Sequence, residues 1–122
     1  MSILIITSLA VNILVAGWLP LVLLDGVSMD AVYGPDSPAR RILACLYGTI
    51  AAVSLLALGI GLATGFSGNI VPVIAGLLAF QVIYKVATAF VVGVDHPVVH
   101  ANLMISALHV VTLLSMASML RA

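Results

Sequence analysis

Four stretches of about 20 predominantly apolar residues follow one another along this chain and leave little sequence outside them. They run over about 3–24, 38–64, 70–92 and 98–120. An α-helix needs about 20 consecutive apolar residues to cross the hydrocarbon core of a bilayer. The pattern therefore predicts an all-α integral membrane protein with four transmembrane helices in an antiparallel bundle. We expect a single transmembrane domain over residues 1–122.

The composition excludes the alternatives to a membrane protein. The chain is 64% hydrophobic and 7% charged, whereas an average soluble domain is about 45–50% apolar and about 25% charged. Four basic and four acidic side chains cannot give a core of this size a polar surface. A soluble globular domain, a disordered segment and a nucleic-acid-binding protein are therefore excluded. We expect the protein in a lipid bilayer, the inner (cytoplasmic) membrane of a bacterium.

The connections between the stretches carry turn residues. The polar loop 25–41 is the only long one, and the turns at Gly65–Asn69 and Gly93–Pro97 are short. Within the loop, Ser37 followed by Pro38 is typical of an N-cap and a proline at the first helical position. The second helix is therefore predicted to begin at residue 38.

Polar side chains inside the third and fourth stretches recur three, four and seven positions apart, so they share a helix face. Such a face points toward other helices or a polar cavity rather than toward lipid. It supplies either the hydrogen bonds of a self-contained bundle or the lining of a pocket. The predicted ligand- or partner-binding residues are Gln81, Tyr84, Lys85, Thr88, Asp95, Asn102 and His109, with Ser106 on the same face of the fourth stretch.

Lys85 is the one charged side chain well inside an apolar stretch. A charge at the bilayer centre costs about 2.5–3.5 kcal/mol. Lys85 lies about 10 Å from the Val92 end of its stretch, so its stem could extend toward the headgroups. It could also pair with Asp95 or with an aspartate of the loop. A contact with a bound ligand is the functional alternative.

The charged residues are distributed unequally between the two predicted membrane faces. In an antiparallel four-helix arrangement, the loop 25–41 and the turn before the fourth stretch lie on one side, and only Arg121 lies toward the other. The positive-inside rule places the charged side in the cytoplasm. The sequence predicts either a charge-paired vestibule beneath the loop or a docking surface for a partner. This charged face comprises Asp25, Asp30, Asp36, Arg40 and Arg41.

Small residues recur along the second stretch. Ala44, Gly48, Ala52 and Gly59 form a predicted stripe on one face of its helix. Stripes of this kind let the backbones of two membrane helices approach closely. We therefore expect this face to contact another helix.

The three histidines raise the question of a metal or a cofactor. His96 and His100 are four residues apart and are weak metal candidates, because this spacing places both on one helix face only if His96 is itself helical. As an N-cap ahead of Pro97, His96 would not be helical. Two histidines on facing helices are excluded, since all three lie in or next to the fourth stretch. No cofactor is expected, although haem, quinone or pigment binding through His109 or His100 remains open.

The organisation of the chain resembles that of the small bacterial four-helix membrane proteins of the DoxX-like families. The shared features are a long first loop with a Tyr33-Gly34 step, a basic start to the second helix at Arg40-Arg41, and short later turns. The resemblance implies the four-helix organisation. It gives no residue a function.

The sequence favours a non-enzymatic protein, since no motif places a nucleophile beside a base and no carboxylate lies within a span. The first hypothesis is an accessory or structural subunit that packs within a larger membrane complex or with copies of itself. The second is a protein that binds or transports a small molecule or a lipid at a polar intramembrane site around Lys85. The third is a redox-associated subunit that binds haem, quinone or pigment through a histidine of the fourth helix.

Overall fold

The computed structural model describes residues 1–25 and 27–121, and all regular secondary structure in this part of the chain is helical. Four helices are long and apolar enough to cross a membrane: Ser2–Leu24, Pro38–Thr64, Ile70–Val91 and Pro97–Leu120. These helices coincide with the four apolar stretches of the sequence to within one residue at each end. The elements are α1 (Ser2–Val11), a π-helical turn (Asn12–Ala16), α2 (Gly17–Leu24), α3 (Asp30–Tyr33), α4 (Pro38–Thr64), α5 (Ile70–Val91) and α6 (Pro97–Leu120).

By its internal contacts the chain divides into two compact units. The first comprises Met1–Ser8 and the chain from Ala57 onward, and the second comprises Leu9–Leu56. The polar residues of α5 and α6 belong to the first unit. The ion pairs of the loop belong to the second.

A π-helical turn interrupts the first long helix. It covers Asn12–Ala16 and is followed by Pro20 inside α2. Proline has no N–H, and its ring crowds the carbonyl four residues earlier, here that of Ala16. A single wider turn at this point relieves the crowding, because a π turn shifts the hydrogen-bond register of the backbone. The turn also directs Asn12 inward, where its Nδ2 donates to Ser54 Oγ over 3.1 Å.

The start of α4 follows the sequence prediction. Ser37 Oγ accepts a hydrogen bond of 3.1 Å from the Arg40 N–H, and Pro38 is the first helical residue. The capping side chain satisfies one of the free N–H groups of the first turn. Local chemistry therefore fixes where this helix begins.

The predicted small-residue stripe of α4 is divided between buried and exposed positions. Ala44 is buried, and a Cβ built on Gly48 would lie 3.8 Å from the ring of Pro20, so the helices approach closely there. Ala52 and Gly59 are exposed instead. The buried face continues through larger or polar side chains that the search for small residues left out. Its members are Ala44, Tyr47, Ile50, Ser54 and Ala57.

A glycine-based cap ends α4. Gly65 has a φ of +65°, and the following Phe66 N–H donates to the Gly61 carbonyl over 2.7 Å. This is the hydrogen bond of a Schellman motif, in which the first residue after the left-handed position closes the last turn. The Phe66 ring lies directly over Gly61 and is buried. The turn predicted as polar thus contains an apolar anchor.

Helices α5 and α6 pack together as a helical hairpin. The turn between them contains Gly93, with a φ of +108°, a conformation that glycine adopts without strain. His96 caps α6, because its ring accepts a hydrogen bond of 3.2 Å from the Val98 N–H. Pro97 follows at the first helical position, as predicted.

Candidate functional site

The two sides of α6 have the reverse of the polarity found in a soluble protein. Its outer surface exposes Met104 (75%) and Leu114 (71%). Large apolar side chains are normally inside and polar ones outside. Four polar residues in the middle of α6 are buried instead, namely Asn102, Ser106, His109 and Thr112, whereas His100 and Ser118 near its ends are exposed.

Lys85, Thr88 and Asn102 form a closed hydrogen-bonded ring between α5 and α6, which we call the Lys85 cluster. The Lys85 ammonium donates to Asn102 Oδ1 over 3.2 Å, and Asn102 Nδ2 donates to Thr88 Oγ1 over 3.2 Å. Thr88 Oγ1 in turn donates to the Lys85 carbonyl over 2.5 Å. Sequence periodicity placed these three residues on facing surfaces, and the structure brings them together.

Lys85 lies in the interior of the protein. Only 4% of its surface is exposed, so its side chain does not extend outward past the helix end. The ammonium lies 5.0 Å from the centre of the Tyr84 ring, within the range of a cation–π interaction. Phe80 packs against the same ring, with the ring centres 5.4 Å apart. A neutral amide oxygen and an aromatic face thus contact the cation.

A second polar cluster lies further along α6. His109 Nδ1 and Ser8 Oγ are 3.2 Å apart, and Ser8 Oγ and Thr112 Oγ1 are 2.8 Å apart. All three residues are fully buried, and we call them the His109 cluster. The spacing of α6 predicted His109, but it did not predict Ser8 or Thr112 as its neighbours. Ser8 lies about 100 residues away in the chain, so only the tertiary fold shows this contact.

Ser106 is buried on α6 between Asn102 and His109, and Gln81 is buried on α5 one turn before Lys85. Ser106 Oγ has no hydrogen-bond partner among the described residues. Gln81 Nε2 contacts the carbonyl of Leu77 in its own helix at 3.5 Å, which is longer than a usual N–H···O bond. Both residues were predicted to face the interior, and both are 3% exposed or less.

Arg40 is the centre of the loop structure in the second unit. Its side chain is 1% exposed and pairs with Asp30 over 2.5 Å. Its Nε donates to the Leu23 carbonyl over 3.0 Å, and this bond attaches the Arg40 side chain to the last turn of α2. The Nη1 that pairs with Asp30 also donates to the Gly34 carbonyl over 2.5 Å. A cation at a helix C-terminus satisfies free carbonyls and complements the helix dipole. Arg40 therefore fixes the loop on the end of the preceding helix.

The remaining loop charges also have partners nearby. Arg41 and Asp36 form an exposed pair, with Arg41 Nη2 2.7 Å from Asp36 Oδ2. Hydrogen bonding by this guanidinium holds the pKa of Asp36 below its ordinary value. Asp25 accepts hydrogen bonds from Ser28 and from the Val27 N–H, and these lower the pKa of Asp25. The loop residues of the predicted charged face are therefore paired within the loop and its adjoining helices.

Asp95, His96 and His100 are not among the buried polar residues of α5 and α6. Asp95 and His100 are exposed. His96 has extended rather than helical backbone angles, and its Nδ1 is engaged by the Val98 N–H, so the spacing of four between His96 and His100 does not put them on one helix face. Among the described residues, no three His, Cys, Asp or Glu side chains are grouped as metal ligands.

An open cavity of about 480 Å³ lies at the other end of the hairpin. It is formed by the turn before α5, the first residues of α5 and the end of α6. Apolar side chains provide most of its wall. The lining residues are Ser67, Gly68, Val71, Pro72, Met119 and Leu120.

Comparisons with known protein families, with curated proteins and with solved structures give no match. The resemblance to the DoxX-like families therefore stays one of helix layout in the sequence.

Proposed function

We propose that this protein is an integral membrane protein whose four long helices cross the bilayer as an antiparallel bundle. The observation that carries this proposal is the polarity of α6, which buries Asn102 and His109 while exposing Met104 and Leu114. In water this arrangement would be unfavourable on both sides of the helix. In lipid it is the expected one, because polar groups seek partners inside the protein and apolar groups face the acyl chains.

Its role within the membrane is that of a non-enzymatic accessory subunit that packs with other membrane subunits or with copies of itself. The four long helices contain most of the residues of this chain, and the connections between them are short apart from the loop 25–41. The loop charges are paired locally. Gly76 has open space where a Cβ would lie, so the backbone of another helix could approach closely at this position.

Extraction in a mild detergent followed by native mass measurement tests this role. We expect a species heavier than one chain of 12.6 kDa, consisting of copies of this chain or of this chain with another membrane subunit. A stable monomer that retains no protein partner would contradict the role as a subunit. A monomer would not contradict the membrane location, because cell fractionation tests that location separately.

The Lys85 cluster favours a second candidate, the binding of a small molecule or lipid with an acidic group. An ionisable residue inside a membrane helix commonly marks a functional site. Native mass spectra with phosphatidylglycerol and with phosphatidylcholine provide the test. Selective binding of the acidic lipid that disappears in Lys85→Met supports this candidate, whereas equal binding by both proteins contradicts it. Haem, quinone or pigment binding through His109 stays a prediction.

A further inference from the structure

Gln81 and Ser106 form a polar layer inside the hairpin, one helical turn from the bond between Lys85 and Asn102. Gln81 precedes Lys85 by four residues in α5, and Ser106 follows Asn102 by four residues in α6. At 1.5 Å per residue this is a displacement of about 6 Å along each helix. Because the helices of a hairpin run in opposite directions, both displacements lead the same way. We call these two residues the Gln81–Ser106 layer.

The Ser106 hydroxyl of this layer lacks a protein partner in the described part of the chain, and Gln81 has a long bond within its own helix. The Ser106 hydroxyl is buried and has no partner among the described residues, and the Gln81 amide has its contact of 3.5 Å with the Leu77 carbonyl. Buried hydroxyls and amides in folded proteins are nearly always hydrogen-bonded, and ordered water supplies the bond where protein does not. Two such groups at one level of a helix pair therefore point to a polar ligand shared between them.

The polar clusters on both sides make this ligand more favourable. The Lys85 cluster lies one turn away in one direction, and His109 follows Ser106 by three residues in the other. A buried water typically makes about three hydrogen bonds, so it needs a site with several polar neighbours. The stripe from Asn102 to Thr112 spans ten residues, or about 15 Å, which is about half of the hydrocarbon thickness.

We propose that the Gln81–Ser106 layer binds one water molecule, held by the Ser106 hydroxyl and the Gln81 amide. The water lies between the Lys85 cluster and the His109 cluster in the interior of the hairpin. The hairpin then has a hydrated core within an otherwise apolar chain. This inference concerns the interior of the first unit and is independent of the proposed subunit role.

Water-edited solid-state NMR of the protein in lipid bilayers tests the site directly. Magnetisation that starts on water should reach Gln81 and Ser106 several times faster than it reaches Met104 and Leu114, which are on the outer surface of α6. Equal rates at the two pairs of residues, or slower transfer to Gln81 and Ser106, would overturn the proposal.

Ser106→Ala gives an independent test, with Ser115→Ala as the matched control on the same helix. Ser115 Oγ bonds to the Thr112 carbonyl of its own helix, so both substitutions change helix propensity equally but only one affects the layer. If Ser106 holds a water, Ser106→Ala lowers the ratio of folded to unfolded protein about fivefold relative to the control. It also slows water transfer to Gln81. If Ser106→Ala leaves the ratio of folded to unfolded protein unchanged or increases it relative to the control, the Ser106 hydroxyl had no partner and the proposal is overturned.

Discussion

The Lys85 ammonium donates to the Asn102 side-chain oxygen over 3.2 Å, and both residues are buried between α5 and α6. An amide oxygen is a neutral acceptor, so the bond does not cancel the charge of the lysine. The two members of the pair therefore contribute unequally to stability. Removing the acceptor leaves a buried charge with one bond fewer, whereas removing the lysine removes the charge itself.

Asn102→Leu should consequently destabilise the protein more than Lys85→Met does. We expect the free energy of unfolding to fall by about 3 kcal/mol in Asn102→Leu and by about 1 kcal/mol in Lys85→Met. Unfolding in mixed micelles measures both values. The double variant should be more stable than Asn102→Leu alone, and a double variant that shows the sum of the two losses would contradict the coupling.

Arg40 and Arg41 are adjacent in sequence but contribute differently to the stability of the fold. Arg40→Gln removes a buried guanidinium from Asp30 and from the Leu23 carbonyl, and we expect a loss of about 3 kcal/mol in the free energy of unfolding. Arg41→Gln removes an exposed ion pair and should change stability little. Limited proteolysis of the loop should accelerate in Arg40→Gln alone. Similar cleavage rates in the two variants would show that Arg40 does not hold the loop.

The Asp36–Arg41 pair predicts a dependence on pH. The folded-state pKa of Asp36 is depressed by the guanidinium, so the pair stabilises the fold above the ordinary carboxyl value of 3.8. That stabilisation is lost as the pH falls through the depressed pKa. Titration of the Asp36 carboxyl carbon by NMR should give a midpoint below 3.8, and Arg41→Gln should raise it. A midpoint that is the same in both proteins would contradict the ion pair.

Gly61 and Gly59 provide a matched pair for the cap of α4. A Cβ on Gly61 would lie 2.3 Å from the buried Phe66 ring, whereas a Cβ on Gly59 meets nothing within 4 Å. Gly61→Ala should therefore cost about 2 kcal/mol of stability through overpacking. Gly59→Ala should be neutral or stabilising by up to about 1 kcal/mol, because alanine favours a helix. Thermal unfolding of the two variants checks this, and a Gly61→Ala protein as stable as Gly59→Ala would show that the ring does not pack there.

The helices and their starting points could be predicted because they depend on local chemistry. A run of apolar residues sets the length of each helix, and Ser37 with Pro38 sets the start of α4. The helical period also placed Lys85 and Asn102 on inward faces. These features need no knowledge of the neighbours of a helix.

The features that the sequence did not predict depend on contacts between distant segments or on the response of the backbone. Ser8 meets His109 because the first helix reaches α6 in the folded chain. Arg40 folds back onto the carbonyl of Leu23 and so caps a helix, a contact that the spacing of charges in the loop does not reveal. The exposure of Ala52 shows the same limit, since residue size alone does not determine which face of α4 packs inward.

Cysteine labelling from one side of sealed membrane vesicles tests the proposed four-span arrangement most directly. With Cys45 replaced by serine, we place single cysteines by Val27→Cys in the loop, Ser67→Cys before α5 and Val94→Cys before α6. A maleimide that cannot cross the membrane should label the Val27 and Val94 sites from one side and the Ser67 site from the opposite side. Labelling of all three sites from the same side would contradict the arrangement, as would opposite sides for Val27 and Val94.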